Sequence, residues 1–420
     1  MITFRNLRNY WIPGTVTIVL GCSSDAFAQV RYQVTDLGGL NDWNLACAMS
    51  LNNKGWTEIM AGELDPLSNS TTAPLVKGRA VVDVDGLKID VGTLGGKNTW
   101  MNWGQINDRG ETVGFSETSV PDPNGEDFCG FGTKLTCRPF LWHNGYLSSL
   151  PMLGGNNGAA SGINIHRQIA GYAQTNVTDS GCPPYQTTLG VLWDNGKAEP
   201  LRPVAGDPDS AAYGINNEGE VVGYSGTCSS AYHAILWRNG TAISLPNLGV
   251  EGAVAFFIND RSEIAGQVAS ADGKTAYAAL WKDGKITNLR TLPGDAAALA
   301  TGINNYGQVV GSTIDSNGDW SHGFIWENGE MKDLNTMFPA SSNLYITMAN
   351  EINDQGQVSG MATVLSGPHA GEIHALVATP VKECDGPSVA DVARALPKIT
   401  LPANVGNQIL RRIGVGRSAR

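Results

Sequence analysis

Two short acidic loops carry the residue spacing most suggestive of ion chemistry. Asp315-Ser316-Asn317-Gly318-Asp319 and Asp122-Pro123-Asn124-Gly125-Glu126-Asp127 alternate oxygen-bearing side chains around tight turns. Hard cations favour that pattern, so Asp315, Asn317 and Asp319 are candidate calcium ligands. Neither loop completes the long calcium motif, and Trp320 follows Asp319 where such loops prefer Gly. The competing reading is a solvated turn rich in Asp and Asn. Aromatic side chains offer a second kind of chemistry. Trp100, Trp103, Tyr185 and Trp320 lie at or beside loops, where an aromatic face can stack on a sugar ring or anchor a partner, although a packing role competes at each. His166 and His369 fall outside the recurring pattern, whereas His233, His322 and His374 recur in it. The chain holds no Gly-x-Ser-x-Gly elbow, phosphate loop or histidine pair at metal-binding spacing.

The elements that must position these residues follow from a repeat. An Ile-Asn pair (once Leu-Asn), a tight turn and an apolar run ending in Gly recur seven times, from Leu51-Asn52…Gly62 to Ile352-Asn353…Gly360. The period of roughly 43 to 57 residues is that of a four-stranded propeller blade. Each unit supplies a small-residue strand entering Ile-Asn, the Gly-ending strand, an apolar strand often closing on Trp, and an alternating strand. The third and fourth are joined by Asp85-Gly86, Asn144-Gly145, Asn195-Gly196, Asn239-Gly240, Asp283-Gly284 and Asn328-Gly329. These dipeptides suit the type I′ turn of a two-residue hairpin. The first and second are joined by an Asn-x-x-Gly turn in which Arg167 and Ser262 twice replace the Gly. A left-handed residue other than Gly costs roughly 1–2 kcal/mol, so those two turns are expected to be strained or differently shaped.

The strand count closes on itself. Six fourth strands follow hairpins, and the seventh is supplied by Tyr32 to Leu37, which should complete the unit begun by the last three strands. The expected fold is all-β: a seven-bladed β-propeller of four-stranded antiparallel blades, with the ring closed by the N-terminal strand and no open sheet edge. Its first strands should be innermost. Glycines ending the second strands should sit beside the third-strand Trp residues. Both short turns fall on one face. The strand two-to-three loops and the connectors fall on the other, which carries nearly all the unit-specific sequence and is therefore the expected functional face.

Residues 1–28 read as an export signal: Arg5 and Arg8, then an apolar stretch, then Ala26-Phe27-Ala28 as a cleavage site. Val19-Leu20-Gly21-Cys22 is the alternative, a lipoprotein box that would acylate Cys22 and anchor the chain at the cell envelope. The stretch is too short to span a bilayer. Residues 29–384 form the repeat domain, and 385–420 a tail expected to be flexible, with a basic end at Arg411, Arg412, Arg417 and Arg420. With Cys22 set aside, six cysteines remain in an oxidising compartment, which favours disulfides. Cys129 and Cys137 would staple the longest loop. Cys182 and Cys228 occupy equivalent loops of adjacent units. Cys47 and Cys384 are left by elimination, although the strand directions place them at opposite faces. A net charge of −11 without a basic stripe in the repeats argues against nucleic acid.

The units resemble the bacterial extracellular repeats named HAF, after His-Ala-Phe at the start of the third strand. The residues that carry the likeness are His233-Ala234-Ile235, His322-Gly323-Phe324 and His374-Ala375-Leu376, with Val91-Gly92-Thr93-Leu94-Gly95-Gly96 as a degraded linked motif. The resemblance covers about residues 31 to 380. Tyr277 and Arg138 depart from it near the His position. It implies a secreted or surface location and carries over no catalytic residue. The expectation is a secreted, monomeric, non-catalytic propeller that binds a protein or glycan through its strand two-to-three loops, with no cofactor beyond a calcium ion. The alternative is a propeller hydrolase or lyase working where the axial channel meets that face.

Overall fold

The computed structural model describes residues 31–38, 43, 45–64, 75–101, 105–179, 186–227, 230–249, 252–270, 275–339 and 342–381. The leader, Cys22, Trp103, Cys182, Tyr185, Cys228, Cys384 and the tail lie outside them. The fold is all-β. Apart from a single 3-10 turn, Leu334–Thr336, no helix occurs among the described residues, and none is long and apolar enough to cross a membrane.

The strands run β1 (Arg31–Gly38), β2 (Leu45–Leu51), β3 (Thr57–Leu64), β4 (Leu75–Val84) and β5 (Leu87–Asp90). Next come β6 (Gly95–Trp100), β7 (Thr112–Pro121), β8 (Leu135–His143), β9 (Tyr146–Ser149), β10 (Gly154–Ile163), β11 (Ile169–Thr178), β12 (Gln186–Asp194) and β13 (Lys197–Leu201). They continue with β14 (Asp209–Ile215), β15 (Val221–Thr227), β16 (Ser230–Arg238), β17 (Thr241–Ser244), β18 (Ala253–Ile258), β19 (Ile264–Ala269), β20 (Ala276–Lys282) and β21 (Lys285–Arg290). The last are β22 (Ala297–Ile303), β23 (Val309–Ile314), β24 (Trp320–Glu327), β25 (Glu330–Asp333), β26 (Leu344–Ile352), β27 (Val358–Val364) and β28 (Ile373–Val381).

They form six sheets. Five are four-stranded antiparallel meanders beginning at β6, β10, β14, β18 and β22. The sixth has eight strands: β26-β27-β28 with β1 on β28, and β2-β3-β4-β5, joined by one parallel pair, Leu45–Ile373. β1 pairs antiparallel with β28 from Arg31–Val381 to Thr35–Val377. The N-terminal strand is thus the fourth member of the last group.

The turn chemistry explains the meanders. Asp85, Asn144, Asn195, Asn239, Asp283 and Asn328 have φ between 48° and 53°, each followed by a Gly at positive φ, as a type I′ hairpin requires. Arg167 and Ser262 take φ of 62° and 57° and make the same turn as the glycines they replace. Of the two expected outcomes, strain is the one found. Each is offset by its side chain: the Arg167 guanidinium binds the Glu111 carboxylate, and Ser262 Oγ donates to Glu220 Oε2 at 2.6 Å.

First strands of successive groups lie against one another, which accounts for their small residues. A Cβ on Gly162 would stand 2.7 Å from the Tyr213 carbonyl oxygen, and one on Gly214 2.7 Å from that of Phe256. The glycines ending second strands answer first to the neighbouring first strand: a Cβ on Gly171 would strike the Ala159 carbonyl, and only next the Trp193 ring. The Trp residues do more than fill space. Trp193, Trp237 and Trp281 are fully buried, and their Nε1 groups donate at 2.7 Å to the carbonyls of Pro151, Arg202 and Pro246 in the connectors entering their own groups.

Candidate functional site

Antiparallel order puts both short turns of every group at one end, the hairpin end, and the connectors and strand two-to-three loops at the other, the loop end. At the hairpin end the recurring Asn builds a continuous hydrogen-bonded circuit. Asn52, Asn107, Asn164, Asn216, Asn259 and Asn304 each donate Nδ2 to the main-chain carbonyl of the next Asn in the series, and Asn353 donates back to Asn52, all at 2.9–3.1 Å. The Oδ1 of each caps its own turn; in Asn259 it accepts from the backbone N–H of Arg261 and Glu263. These amides are therefore occupied by architecture. The following residue forms an outer circuit through Asn53, Asp108, Asn217, Asp260, Asn305 and Asp354. Ile165 interrupts it, because an isoleucine offers Asp108 no side-chain acceptor.

These turns surround a pocket of about 160 Å³. Glu351 lines it and Glu58 lies fully buried nearby. Burial pushes the Glu351 carboxyl up to about 8, against hydrogen bonds from Ser50 and the Leu51 backbone. Burial, reinforced by Glu351, holds the Glu58 carboxyl well above the carboxylate range. The sequence reading placed a channel-mouth site at the loop end; this pocket opens at the hairpin end instead, because the first-strand Asn turns define its walls.

At the loop end the insertion from Glu117 to Arg138 is a folded element. Cys129 and Cys137 are bonded, with Cα atoms 5.6 Å apart. Asp122 Oδ1 caps the turn through the N–H groups of Asn124 and Glu126, and Oδ2 accepts from Asn157 Nδ2 at 2.7 Å. Glu126 Oε2 accepts from Gln174 Nε2 at 2.7 Å, so the neighbouring group holds the loop through buried amides. Asp315 plays the same capping part: its carboxylate accepts from the N–H groups of Asn317 and Asp319 and from Asn317 Nδ2. Burial raises the Asp315 carboxyl, but these donors outweigh it and bring the group below its usual range. Asp319 is raised by burial and by Asp315. Asp209 is pushed up to about 6, first by burial and then by Asp179, against a hydrogen bond from the Thr188 backbone.

Two of the aromatic candidates are not exposed platforms. Trp100 ends β6 opposite Phe115 and packs edge-on against Phe131 at 6.0 Å; Trp320 begins β24 opposite Ile314 and is 1 % exposed. Strand pairing turns both indoles inward despite their neighbouring loops. Trp103 and Tyr185 lie outside the described residues. Cys47 is a free thiol on the fully buried β2, where burial pushes it up to about 12 against a hydrogen bond from Asn350. Cys384, its expected partner, lies outside the described residues.

The recurring histidines are held by acids. Nδ1 of His233, His322 and His374 lies 2.9 Å from Asp207, Asp295 and Asp36 respectively. Around Asp207 stand the three residue types of a hydrolase triad, but in the wrong order. Ser225 Oγ donates to Asp207 Oδ2 at 2.5 Å and His233 meets the same oxygen, so the imidazole is not placed to take the hydroxyl proton. One grouping escaped the sequence reading: His369, Glu372 and His374 converge, with ligand atoms within 4.8 Å of one another. Their spacing, His-x-x-Glu-x-His, was the available signal.

No protein-family model matches the chain, and no curated protein matches its sequence. Solved structures do. The β-propeller domain of the Trilobed protease from Pyrococcus furiosus is 14% identical with a TM-score of 0.44, covering 68% of this chain and 79% of that one. A streptogramin B lyase is 10% identical with a TM-score of 0.47, covering 84% and 98%. The acylaminoacyl peptidase of Pyrococcus horikoshii is 11% identical with a TM-score of 0.37, covering 77% of this chain and 59% of that one. No function is carried over from these likenesses.

Proposed function

We propose that the chain is a secreted, monomeric, non-catalytic β-propeller of seven blades, closed by its N-terminal strand, that binds a protein or glycan through its loop end. The pairing of β1 with β28 and the return of the Asn circuit from Asn353 to Asn52 support the closed ring. The Cys129–Cys137 bond supports an oxidising compartment, in keeping with the leader and with the HAF-like repeats. Val120 and Val177 carry the binding reading. They sit at matching positions near the loop ends of β7 and β11, in adjacent groups, and are 55% and 58% exposed. Exposed apolar side chains at matching positions of adjacent groups are what a docking surface needs. Immobilised mature chain should capture a component of glycan or envelope fractions saturably, and Val120→Asp with Val177→Asp should abolish that capture. Unchanged capture by the double variant refutes the loop-end surface.

A second reading rests on Glu351. An acid kept protonated at neutral pH beside a pocket is what a hydrolase or lyase uses as general acid. Turnover of a lactone or glycoside that Glu351→Gln removes would favour it.

A further inference from the structure

We propose that His369, Glu372 and His374 form a divalent transition-metal site, best matched to zinc, with Asp36 as its outer carboxylate. His369 Nδ1 lies 3.1 Å, and His374 Nε2 3.3 Å, from the same carboxylate oxygen, Glu372 Oε2. Tetrahedral zinc with bonds of about 2.0–2.1 Å sets its ligand atoms about 3.3 Å apart; both nitrogen–oxygen distances match that, and the three donor atoms all lie within 4.8 Å of one another. Two imidazoles and one carboxylate suit zinc; calcium and magnesium prefer oxygen alone.

The second nitrogen of His374 sharpens the case. Its Nδ1 lies 2.9 Å from Asp36 Oδ2, a carboxylate placed to support the Nδ1–H tautomer that leaves Nε2 free for a metal. A divalent cation seated between Nε2 and Glu372 Oε2 would satisfy both groups at once. A carboxylate behind a ligating histidine is the usual outer support of a zinc site. The loop is built to hold the geometry: Gly371 N donates to the Val364 carbonyl at 2.9 Å, Val364 N to the Glu372 carbonyl at 3.0 Å, and Glu372 N to the His369 carbonyl at 3.0 Å. Gly371 takes φ +90°, which lets the chain double back and bring His369 over Glu372. His374 is buried while the His369 side chain is 65% exposed, so three protein ligands leave one coordination position facing solvent. Asp36 belongs to β1 and the three ligands to the approach and start of β28, so a bound ion also fastens the N-terminal strand to the last group.

The test uses the untagged full chain, stripped with chelator and titrated with zinc chloride against a chromophoric competitor. One zinc per chain is expected. His369→Ala removes an exposed ligand without touching the core, and Glu372→Ala removes the shared carboxylate; each should weaken zinc by at least about tenfold. Asp36→Asn should weaken it by about 10–100-fold. Cobalt(II) should give tetrahedral visible bands that His369→Ala abolishes, and magnesium and calcium should not compete. Equal zinc affinity in wild type and His369→Ala, or no zinc retained by the wild type, overturns the site and leaves a protonated histidine–carboxylate cluster.

Discussion

Replacing Glu351 by glutamine should flatten the protein's stability between pH 5 and pH 7. The carboxyl is held at about 8 in the folded chain and returns to its ordinary value, 4.5, on unfolding. A folded-state value raised in this way means the contribution is fully present below the unfolded value and lost as pH rises toward the folded one. Each pH unit in that interval costs ~1.4 kcal/mol. From pH 5 to pH 7 the ceiling is ~3 kcal/mol, and because Glu351 touches solvent through the pocket, about half of it is expected. The lower limit of the window avoids Glu111, Glu220 and Glu263. Burial raises these, but hydrogen bonds led by Arg167, Ser262 and Lys282 together outweigh it and depress them, so their contribution is lost only as pH falls further. Asp209 and His322, both raised, also favour acid pH. Their effect is common to wild type and variant and cancels in the difference, whereas Glu58, raised first by burial and then by Glu351, loses that second influence in the variant. Urea unfolding at pH 5, 6 and 7 should therefore show wild type losing about 1.5 kcal/mol more than Glu351→Gln. Parallel pH profiles would refute the assignment of a neutral, buried Glu351.

Asn259→Ala removes donors to Asn304 and Glu263 and the acceptor for two backbone N–H groups, and should cost about 3 kcal/mol by urea midpoint; a change below about 0.5 kcal/mol would show that the Asn circuit is not structural. Hydrogen exchange should protect the backbone of Tyr32 to Thr35 as well as that of Val377 to Pro380, since the two strands share one ladder; rapid exchange confined to β1 would separate it from the last group. The Asp315 loop is closed by its own N–H donors, so in the zinc-stripped chain melting temperatures with calcium and with chelator should coincide. A rise with calcium would restore Asp315, Asn317 and Asp319 as ligands.

Much of the architecture was legible because it is written in local chemistry. Asn-Gly and Asp-Gly dictate their hairpins, and a fourth strand missing from the last unit could only come from residues 31–38. Cys129 and Cys137, eight residues apart in one loop, could be paired by proximity. The site was less legible. Adjacent loops suggest exposure of Trp100 and Trp320, whereas their strand registers turn both inward. The buried Glu58 and Glu351 sit on strands from opposite ends of the chain, and His374 meets Asp36 across 338 residues. Pairings of that kind depend on how the last group adjoins the first, which no local pattern encodes. The Asn of each repeat was read as scaffold, and the circuit gives that role its physical form: a capped turn that also donates to its neighbour.

Recognition by the closed ring is proposed to belong to its loop end. The most direct measurement compares two double variants in one saturation-binding assay with glycan or envelope fractions. Val120→Asp with Val177→Asp alters the loop end, and Ile165→Asp with Tyr306→Asp alters exposed apolar positions at the hairpin end. The first pair should lose binding and the second should retain it. Loss of binding with the second pair alone would contradict this and move recognition to the pocket inside the Asn circuit.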